Sequence, residues 1–409
     1  MKRLPGIQAS RGCTEPAAVA FAAAAAARAL DAPVEAVRVR CDPNTLKNAQ
    51  AAGIPGSGGR SGAALAAALG ALAGDPDRGL QALSDVPPAA LHAAEALVAE
   101  GRVQVEQRPS DGAPRLWVEA EVTGGGHRGV ARLVDAHSRL VALERDGTPV
   151  PGAADPGAPP ATDPDWSGWS LDRVLALADV LDAEDRASVL LGLGTNLAAC
   201  GRPLPQGLDL PERAERIAER ASCARMTGRP VTLTTSGFSG NQGLVATIPV
   251  GVVAEALGAD EATLARALAT SHLVGSFVRA RTGILSPVCN ATQAASAGAA
   301  AGCALLLGGS PGQLERAAVR VLATTGGVVC DGAKAACSLK VGLGAALAVR
   351  AAQRVLADDA LELRDGIAGE TLAETAANLG RIAHPGMQRA DQELLAIALG
   401  KAPRPGPCP

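Results

Sequence analysis

Residues 291–309 (ATQAASAGAAAGCALLLGG) contain no charged side chain and consist mainly of Ala, Gly and Ser. The segment is long enough to cross a bilayer, but its small side chains supply little hydrophobic driving force, and Gln293 lies within it. It therefore predicts a buried core helix that packs closely against its neighbours. The composition agrees with a core of small side chains, since the chain has 3 Phe, 3 Trp and no Tyr.

Length and charge indicate a globular protein of two or three domains. The chain has 409 residues, of which 47% are hydrophobic, and this suffices to bury a large core. A formal net charge of −3 gives no electrostatic basis for binding nucleic acid or an acidic membrane. We therefore expect neither nucleic acid nor membrane as a partner, and the Ala-rich helices are compatible with a homodimer.

Hydrophobic periodicity predicts an α+β fold, with a mostly helical catalytic body and an inserted small antiparallel sheet domain. Helical patterns cover residues 13–30 and 63–73, and they return after residue 170. The later patterns cover 170–199, 211–225, 258–270, 291–307, 311–323, 338–357 and 371–380.

Residues 81–155 have a different pattern, which predicts an inserted α+β subdomain. A helix at 88–100 precedes four strand-like runs, at 103–107, 116–122, 129–134 and 140–145. Residues 147–168 are rich in Pro, Gly, Ala and Asp, which is typical of a linker. Residues 1–80 and 165–409 would then form the discontinuous helical catalytic body.

The nine cysteines are scattered and odd in number, unlike the dense disulfide framework of a small secreted domain. A reducing, cytoplasmic location is therefore expected. Residues 17–27 (AAVAFAAAAAA) follow Lys2 and Arg3 as a signal peptide would. However, Glu15 and Pro16 directly precede the run and no small-residue cleavage site is obvious, which argues against one.

Four cysteines lie in surroundings that favour chemistry. Cys13 (GCTEP) and Cys289 (SPVCNATQ) each precede a predicted helix, whose N-terminus favours the thiolate that ligates iron. Cys330 and Cys337 lie in CDGAKAAC, whose spacing matches neither zinc nor ferredoxin motifs. Spacing alone therefore leaves metal binding and simple burial as alternatives.

Lysine is rare in a chain that otherwise uses arginine, and two lysines flank Cys337. Lys334 and Lys340 would suit a site that needs a compact ammonium, either to bind a substrate carboxylate or to stabilise a thiolate. The alternative is that both are ordinary surface residues.

The segment SGFSGNQG at 236–243 does not match the G-x-G-x-x-G pattern of dinucleotide-binding loops. Its glycines would allow backbone N–H groups to converge on an anion, and amide side chains add donors. The candidate substrate-binding residues here are Ser236, Gly240, Asn241 and Gln242. A tight turn required for helix packing is the alternative, and His272 is interpreted as a core histidine rather than an acid or base.

Four segments resemble the L-cysteine desulfidase family, which is related to the iron–sulfur L-serine dehydratase α chain. They are GCTEPAAVAFAAA (12–24), LKNAQAAGIPGSGGRSG (46–62), SGFSGNQGLVATIPV (236–250) and GVVCDGAKAACSLKVG (327–342). The resemblance runs with gaps from about residue 10 to 395, and GCTEP and CDGAK-x-x-C are its most specific parts.

The resemblance implies a [4Fe–4S] cluster on Cys289, Cys330 and Cys337, with Cys13 as the proton acceptor. It also implies β-elimination on L-cysteine to give pyruvate, ammonia and sulfide, so the expected substrate is a small amino acid. Only twelve residues precede Cys13. Because the family pattern has a further helix there, we expect either a misassigned start codon or a missing helix.

Other functions fit the same residues. An iron–sulfur L-serine or L-threonine dehydratase would use the same cluster with a hydroxyl leaving group. A pyridoxal-phosphate lyase would need a Schiff-base lysine and a phosphate-binding cup. A non-catalytic iron–sulfur sensor or scaffold, or an inactive descendant of the enzyme, would bind iron without turning over a substrate.

Overall fold

The computed structural model describes residues 4, 6–108, 116–153, 164–357, 361 and 363–401. The structure is 57% helical and contains a small mixed sheet and a separate antiparallel pair of strands. The predicted α+β class is therefore confirmed.

Every predicted helical segment contains a helix, and several helices begin after an aspartate. The helices at Pro43–Ala49, Gly240–Leu257 and Gln388–Leu399 were not predicted, and the one predicted at 258–270 extends to Thr282. Asp42, Asp182 and Asp209 each accept a hydrogen bond from a backbone N–H of the following first turn. The α-helices are α1 Thr14–Leu30, α2 Pro43–Ala49, α3 Ala63–Ala73, α4 Pro88–Ala99, α5 Leu171–Asp179, α6 Ala183–Ala199, α7 Leu210–Met226, α8 Gly240–Leu257, α9 Glu261–Thr282, α10 Ser296–Leu306, α11 Pro311–Thr325, α12 Cys337–Leu356, α13 Leu372–Arg381 and α14 Gln388–Leu399.

Two differences from the predicted helices have local causes. The single helix predicted at 170–199 is two helices, α5 and α6, because Asp182 caps a new first turn. Helix α8 was not predicted because most of its residues are apolar and buried on every side, which leaves no periodic pattern.

The four predicted strands of the 81–155 segment are present and belong to a larger sheet. The strands are β1 Ala9–Arg11, β2 Ala36–Cys41, β3 Val103–Gln107, β4 Trp117–Gly124, β5 His127–Val134, β6 Leu140–Arg145, β7 Thr148–Pro149 and β8 Thr232–Thr234. The large sheet has the order β3-β2-β4-β5-β6-β7. An antiparallel sheet was predicted, but the observed sheet is mixed. The reason is that β3 runs parallel to β2 after a helical crossover.

The sheet is not confined to the predicted insert. Strand β2, from before residue 80, lies between β3 and β4, and α1 and α3 share a hydrophobic core with the sheet. A β-carbon at Gly129 of β5 would lie 2.0 Å from the carbonyl of Ala26, so α1 approaches the sheet through glycine. Of the predicted linker at 147–168, residues 154–163 lie outside the described part of the chain.

A second core is built from α5 to α13. Residues 291–309 lie at its centre, as one π-helical turn (Ala291–Ala295) followed by α10, and both are buried as predicted. A β-carbon at Gly298 would lie 2.1 Å from the carbonyl of Ser271 in α9, so the two helices pack through their small residues. Among the helices of the described residues, none combines the length and the apolar character that a membrane crossing needs.

Several contacts among the described residues join the cores, including the hydrogen bond from the N–H of Gly53 to the carbonyl of Met226 over 2.8 Å. Strand β1 pairs with β8 from the second core, which brings the start of α1 next to the end of α7. Helix α14 packs against α2, where Lys47 forms a buried ion pair with Asp391. The candidate site lies where these segments meet.

Candidate functional site at the junction of the two cores

Cys13 occupies the position before the first turn of α1. Its backbone is extended (φ −78°, ψ 139°), and its carbonyl accepts the N–H of Ala17. Thr14 is therefore the first residue of the helix. The side chain of Cys13 points into the protein, since the residue is only 3% exposed.

A cavity of about 110 Å³ lies beside this helix start. Both cores contribute to its wall, and all four predicted cysteines line it. The lining residues are Cys13, Thr14, Glu15, Asn48, His137, Arg225, Gly237, Phe238, Ser239, Asn241, Gln242, Ile284, Leu285, Ser286, Val288, Cys289, Asn290, Ala291, Cys330, Gly332, Ala333, Cys337 and Val341.

Backbone hydrogen bonds hold Cys289 and Cys330 on neighbouring segments. The N–H of Cys289 donates to the carbonyl of Val328 over 2.9 Å, and the N–H of Cys330 donates to that of Pro287 over 2.6 Å. The chain then turns back so that Cys337 is the first residue of α12. Tertiary structure thus brings the three candidate ligands to one cavity.

The three cysteines are half-buried and have polar neighbours. The hydroxyl of Thr292 donates to Sγ of Cys289 over 3.2 Å, and Sγ of Cys337 lies 3.4 Å from the carbonyl of Gly332. Desolvation raises the pKa of Cys330 to about 12, although the nearby ammonium of Lys47 acts in the opposite direction. The thiol of Cys330 therefore stays protonated until a metal displaces its proton.

The donor set suits a cluster better than a single ion. Among the described residues, no three His, Cys, Asp or Glu side chains are grouped closely enough to hold one metal ion. In a four-iron cluster each cysteine ligates a different iron, so its ligands stand further apart. Three thiols around one cavity are the soft donors that an iron–sulfur cluster uses.

Glu15 is the main polar neighbour of Cys13. The thiol donates to Oε2 of Glu15 over 3.1 Å, and Nδ2 of Asn48 donates to Oε1 of the same carboxylate over 2.9 Å. Burial, and next the negative charge of Glu15, raise the pKa of Cys13 well above its usual value. The thiolate predicted from the helix N-terminus is therefore not the resting form, because desolvation outweighs the helix dipole.

Arg225, near the end of α7, is a lining residue that the sequence analysis missed. It is 3% exposed, and among the described residues its Nε has no hydrogen-bond partner. Its other nitrogens make only long contacts with neutral groups, Oδ1 of Asn241 at 3.3 Å and Oγ1 of Thr14 at 3.4 Å. The sequence does contain a feature that could have identified Arg225. It lies four residues after Ala221 and therefore on the buried face of an amphipathic helix.

His137 was also missed, and it reaches the cavity from the turn between β5 and β6. It is 6% exposed, and its Nε2 has no hydrogen-bond partner among the described residues. Burial lowers the pKa of His137, while Glu15 and Asp42 act in the opposite direction. The sequence feature that could have drawn attention to His137 is the rarity of histidine, since the chain has only 5.

Residues 236–242 are brought to the cavity only in part. Asn241 and Gln242 line it, whereas Ser236 and Gly240 do not. Ser236 instead contacts Nδ1 of His272 at 3.0 Å, and a β-carbon at Gly240 would lie 2.7 Å from Nε of Arg225. The missing side chain at Gly240 therefore makes room for Arg225. This agrees with a role of the glycine in packing, which is the alternative to an anion-binding nest.

The flanking lysines are not among the residues that line the cavity. Nζ of Lys334 lies 2.6 Å from Oδ2 of Asp331, and Nζ of Lys340 lies 2.5 Å from Oδ1 of the same residue. Lys340 also donates to the carbonyl of Val329 over 2.7 Å. Both ammonium groups thus brace the loop that carries Cys330.

Comparison with known proteins identifies the family. Residues 176–396, more than half of the chain, match the family described as serine dehydratase alpha chain. The chain belongs to this family. The predicted relation to the serine dehydratase α chain is thus confirmed at the family level, and the matched residues include CDGAK-x-x-C.

Relatives of this serine dehydratase-like protein match almost its whole length. The UPF0597 protein of Oleidesulfovibrio alaskensis is 37% identical over 96% of this chain and 95% of its own. The UPF0597 protein of Desulfotalea psychrophila is 35% identical, and that of Desulfatibacillum aliphaticivorans is 36% identical, each over 95% of both chains.

Proposed function

We propose that this serine dehydratase-like protein is a [4Fe–4S]-dependent lyase that eliminates sulfide from L-cysteine. The observation that carries the proposal is the cavity itself, in which three cysteines and a fourth, separately positioned cysteine meet. Membership of the serine dehydratase alpha chain family supports lyase chemistry. An oxygen-sensitive cluster would also require a reducing compartment, for which we propose the cytoplasm.

Cys289, Cys330 and Cys337 would hold the cluster. When bound through these three cysteines, the cluster would supply Lewis-acid polarisation of the substrate and of its leaving group. Thr292 would tune the site through its hydrogen bond to Cys289. Asp331, Lys334 and Lys340 would keep the loop between two ligands in place.

Cys13 would be the proton acceptor. It lies at the cavity wall but is not needed for the three-ligand set, and its proton is already shared with the carboxylate of Glu15. Loss of that proton would produce the thiolate, which would then remove the proton from Cα of the substrate. Asn48 holds the carboxylate in the required orientation.

The reaction balances without an added oxidant or reductant. The electron pair of the Cα–H bond forms a Cα=Cβ bond while the Cβ–S bond breaks, and sulfur leaves as sulfide. The resulting aminoacrylate tautomerises to an imine, which water hydrolyses to pyruvate and ammonia. The overall change is L-cysteine plus water to pyruvate, ammonia and hydrogen sulfide.

L-Serine, or L-threonine, is the second candidate substrate. The matched family is described by serine dehydration, in which hydroxide replaces sulfide as the leaving group. The same proton acceptor and the same cavity would serve both reactions. A direct comparison of sulfide release from L-cysteine with keto-acid formation from L-serine and L-threonine separates the candidates.

The first experiment is anaerobic purification, with iron and acid-labile sulfide analysis, an absorbance spectrum and turnover measured on one preparation. We expect about four irons per chain, a broad visible absorbance and sulfide release from L-cysteine. Iron without turnover would instead favour the sensor or scaffold alternative. A protein that stays iron-free after anaerobic reconstitution would rule out the cluster.

Two single-cysteine variants test the ligand set, one at a proposed ligand and one at a control position. Cys330→Ala should lose iron and turnover together, whereas Cys303→Ala should keep both. Cys303 is fully buried in α10 and is not among the cavity-lining residues, so it reports the general cost of losing a buried thiol. Normal iron content in Cys330→Ala would remove that residue from the ligand set.

A further inference from the structure

Opposite charges flank Cys13 in the cavity. On one side, Nη2 of Arg225 lies 3.4 Å from Oγ1 of Thr14, the residue after Cys13. On the other side, Oε2 of Glu15 accepts the thiol proton. The thiol therefore has a carboxylate as its hydrogen-bond partner and a buried guanidinium in contact with the next residue, and both groups line the same cavity.

Arg225 lacks a counter-ion among the described residues. Among the described residues it contacts an amide oxygen at 3.3 Å and a hydroxyl at 3.4 Å, and its Nε has no partner. Burying a guanidinium without an anion is costly, so a buried arginine normally pairs with a carboxylate or phosphate. The fork of Arg225 is thus suited to an anionic ligand that enters the cavity.

The opposite side of Cys13 is suited to a cation. Glu15 contributes a carboxylate whose oxygens already accept from Cys13 and Asn48, with lone pairs remaining for further donors. Nε2 of His137, also in the wall, is buried without a partner. A half-buried carboxylate and an imidazole nitrogen that has no partner among the described residues favour a ligand that carries N–H donors and a positive charge.

We propose that the cavity is built to recognise the zwitterionic end of an α-amino acid, with Arg225 binding the α-carboxylate and Glu15 and His137 binding the α-ammonium. In such a ligand Cα lies between the two charged groups. Cys13 contacts Glu15 and directly precedes Thr14, which Arg225 contacts, so its thiol would face Cα of such a ligand. This inference rests on the proposed function and names the residues that select its substrate class.

The arrangement predicts selection against acids that lack the ammonium group. A 2-hydroxy acid would leave Glu15 without its cationic partner, and a simple carboxylic acid would also leave His137 unpartnered. Leaving a buried polar group unpaired on binding is what lets such sites reject close analogues. The β-substituent lies outside this recognition, so an amino acid without a leaving group should still bind.

The test is calorimetric titration of the anaerobic holoenzyme with L-alanine, L-lactate and propionate, none of which can undergo the reaction. We expect L-alanine to bind about 10- to 100-fold more tightly than L-lactate, from the lost charged hydrogen bonds. Propionate should bind no more tightly than lactate. Equal affinities for alanine and lactate would overturn the proposal.

Variants assign each side of the ligand. Arg225→Met should abolish binding of both acids, and Arg225→Lys should restore part of it. Glu15→Gln and His137→Asn should weaken alanine binding towards that of lactate and leave lactate binding unchanged. Arg213→Met, on the same helix α7, and His127→Asn, on β5, are the matched controls, because both side chains are ion-paired away from the cavity.

Thermal denaturation supplies an independent readout. Without ligand, Arg225→Met should unfold at a temperature no lower than the parent protein, since a buried unpaired charge is removed. Alanine should raise the unfolding temperature of the parent but not of the variant. A large destabilisation of Arg225→Met, with alanine binding retained in Arg225→Lys at the parent's affinity, would show a structural arginine and contradict the proposal.

The outcomes also separate this inference from the proposed function. Iron, sulfide release and equal binding of alanine and lactate would keep the lyase and overturn the recognition site. Selective alanine binding in a preparation without cluster or turnover would keep the recognition site and overturn the lyase.

Discussion

The thiol of Cys13 donates a hydrogen bond to Oε2 of Glu15, with Sγ and Oε2 3.1 Å apart. Both residues belong to the start of α1, and Asn48 from α2 fixes the second oxygen of the carboxylate. The pair therefore joins the candidate proton acceptor to a group that can take its proton, inside a cavity shared with three further cysteines.

The contact between Cys13 and Glu15 predicts that Glu15 influences the pH at which the Cys13 thiol ionises. Glu15→Gln removes the negative charge that helps to raise the pKa of Cys13, so the thiolate should form at lower pH than in the parent protein. Residue-resolved alkylation with iodoacetamide, followed by peptide mass spectrometry across pH, measures this. Glu95→Gln, an exposed ion-paired residue, is the control. An alkylation profile of Cys13 that does not move would show that Glu15 has no influence on the thiol.

Cys13→Ala should separate catalysis from metal binding. We expect the variant to keep its iron and to lose about 10²- to 10⁴-fold in kcat, the usual contribution of a general base. Iron analysis and turnover on the same sample measure both properties, with Cys303→Ala as the control. Loss of iron in Cys13→Ala would make Cys13 a ligand and place the base elsewhere.

The buried ion pair of Lys47 and Asp391 should contribute strongly to the attachment of α14. The side chain of Lys47 is 0% exposed and that of Asp391 is 12% exposed. Asp391→Asn should therefore lower the free energy of unfolding by about 3–5 kcal/mol, because it leaves a buried ammonium uncompensated. Chemical denaturation measures the change.

The control is an exposed pair of the same kind. Arg266 and Asp179 lie 2.6 Å apart with side chains about half exposed, so Asp179→Asn should change stability by no more than about 1 kcal/mol. Equal effects of Asp391→Asn and Asp179→Asn would contradict the role of burial.

His272 should make the fold sensitive to acid. Burial, and next the charge of Arg279, lower the pKa of His272 from 6.5 to about 3. The folded protein thus keeps a neutral imidazole while the unfolded chain takes up a proton, so this stability is complete above pH 6.5 and is lost as the pH falls towards 3. At pH 5 the loss amounts to about 2 kcal/mol.

His272→Gln removes this titration. Its stability should therefore fall less than that of the parent between pH 7 and pH 5, as measured by denaturant unfolding at both values. His92→Gln, which replaces an exposed histidine, should behave as the parent does. The same acid sensitivity in His272→Gln as in the parent would mean that other groups cause it.

Local patterns in the sequence predicted most of the fold. The strands at 103–107 and 140–145 and the helix at 63–73 have the predicted bounds, because alternation and helical periodicity act over neighbouring residues. The parallel pairing of β3 with β2 was not predicted, since a strand's pattern does not name its partner. Helix α8 was missed because burial on all sides removes periodicity.

The parts of the candidate site that local sequence motifs carry were predicted, and the parts that depend on distant residues were not. The motifs around Cys13 and Cys330 are short and contiguous, so they could be recognised in the sequence. Lys334 and Lys340 belong to the same motif but pair with Asp331 instead of lining the cavity. Arg225 and His137 belong to no motif, and only burial beside the cavity distinguishes them from other arginines and histidines.

The sequence by itself determined the family, the α+β class and the four cysteines, since each depends on composition or on residues that are adjacent in the chain. Only the tertiary structure decided that Cys13, His137, Arg225 and Cys330 meet at one cavity. That convergence depends on how α1, α7 and the large sheet pack together, which is set by long-range contacts between surfaces. No local pattern encodes these contacts.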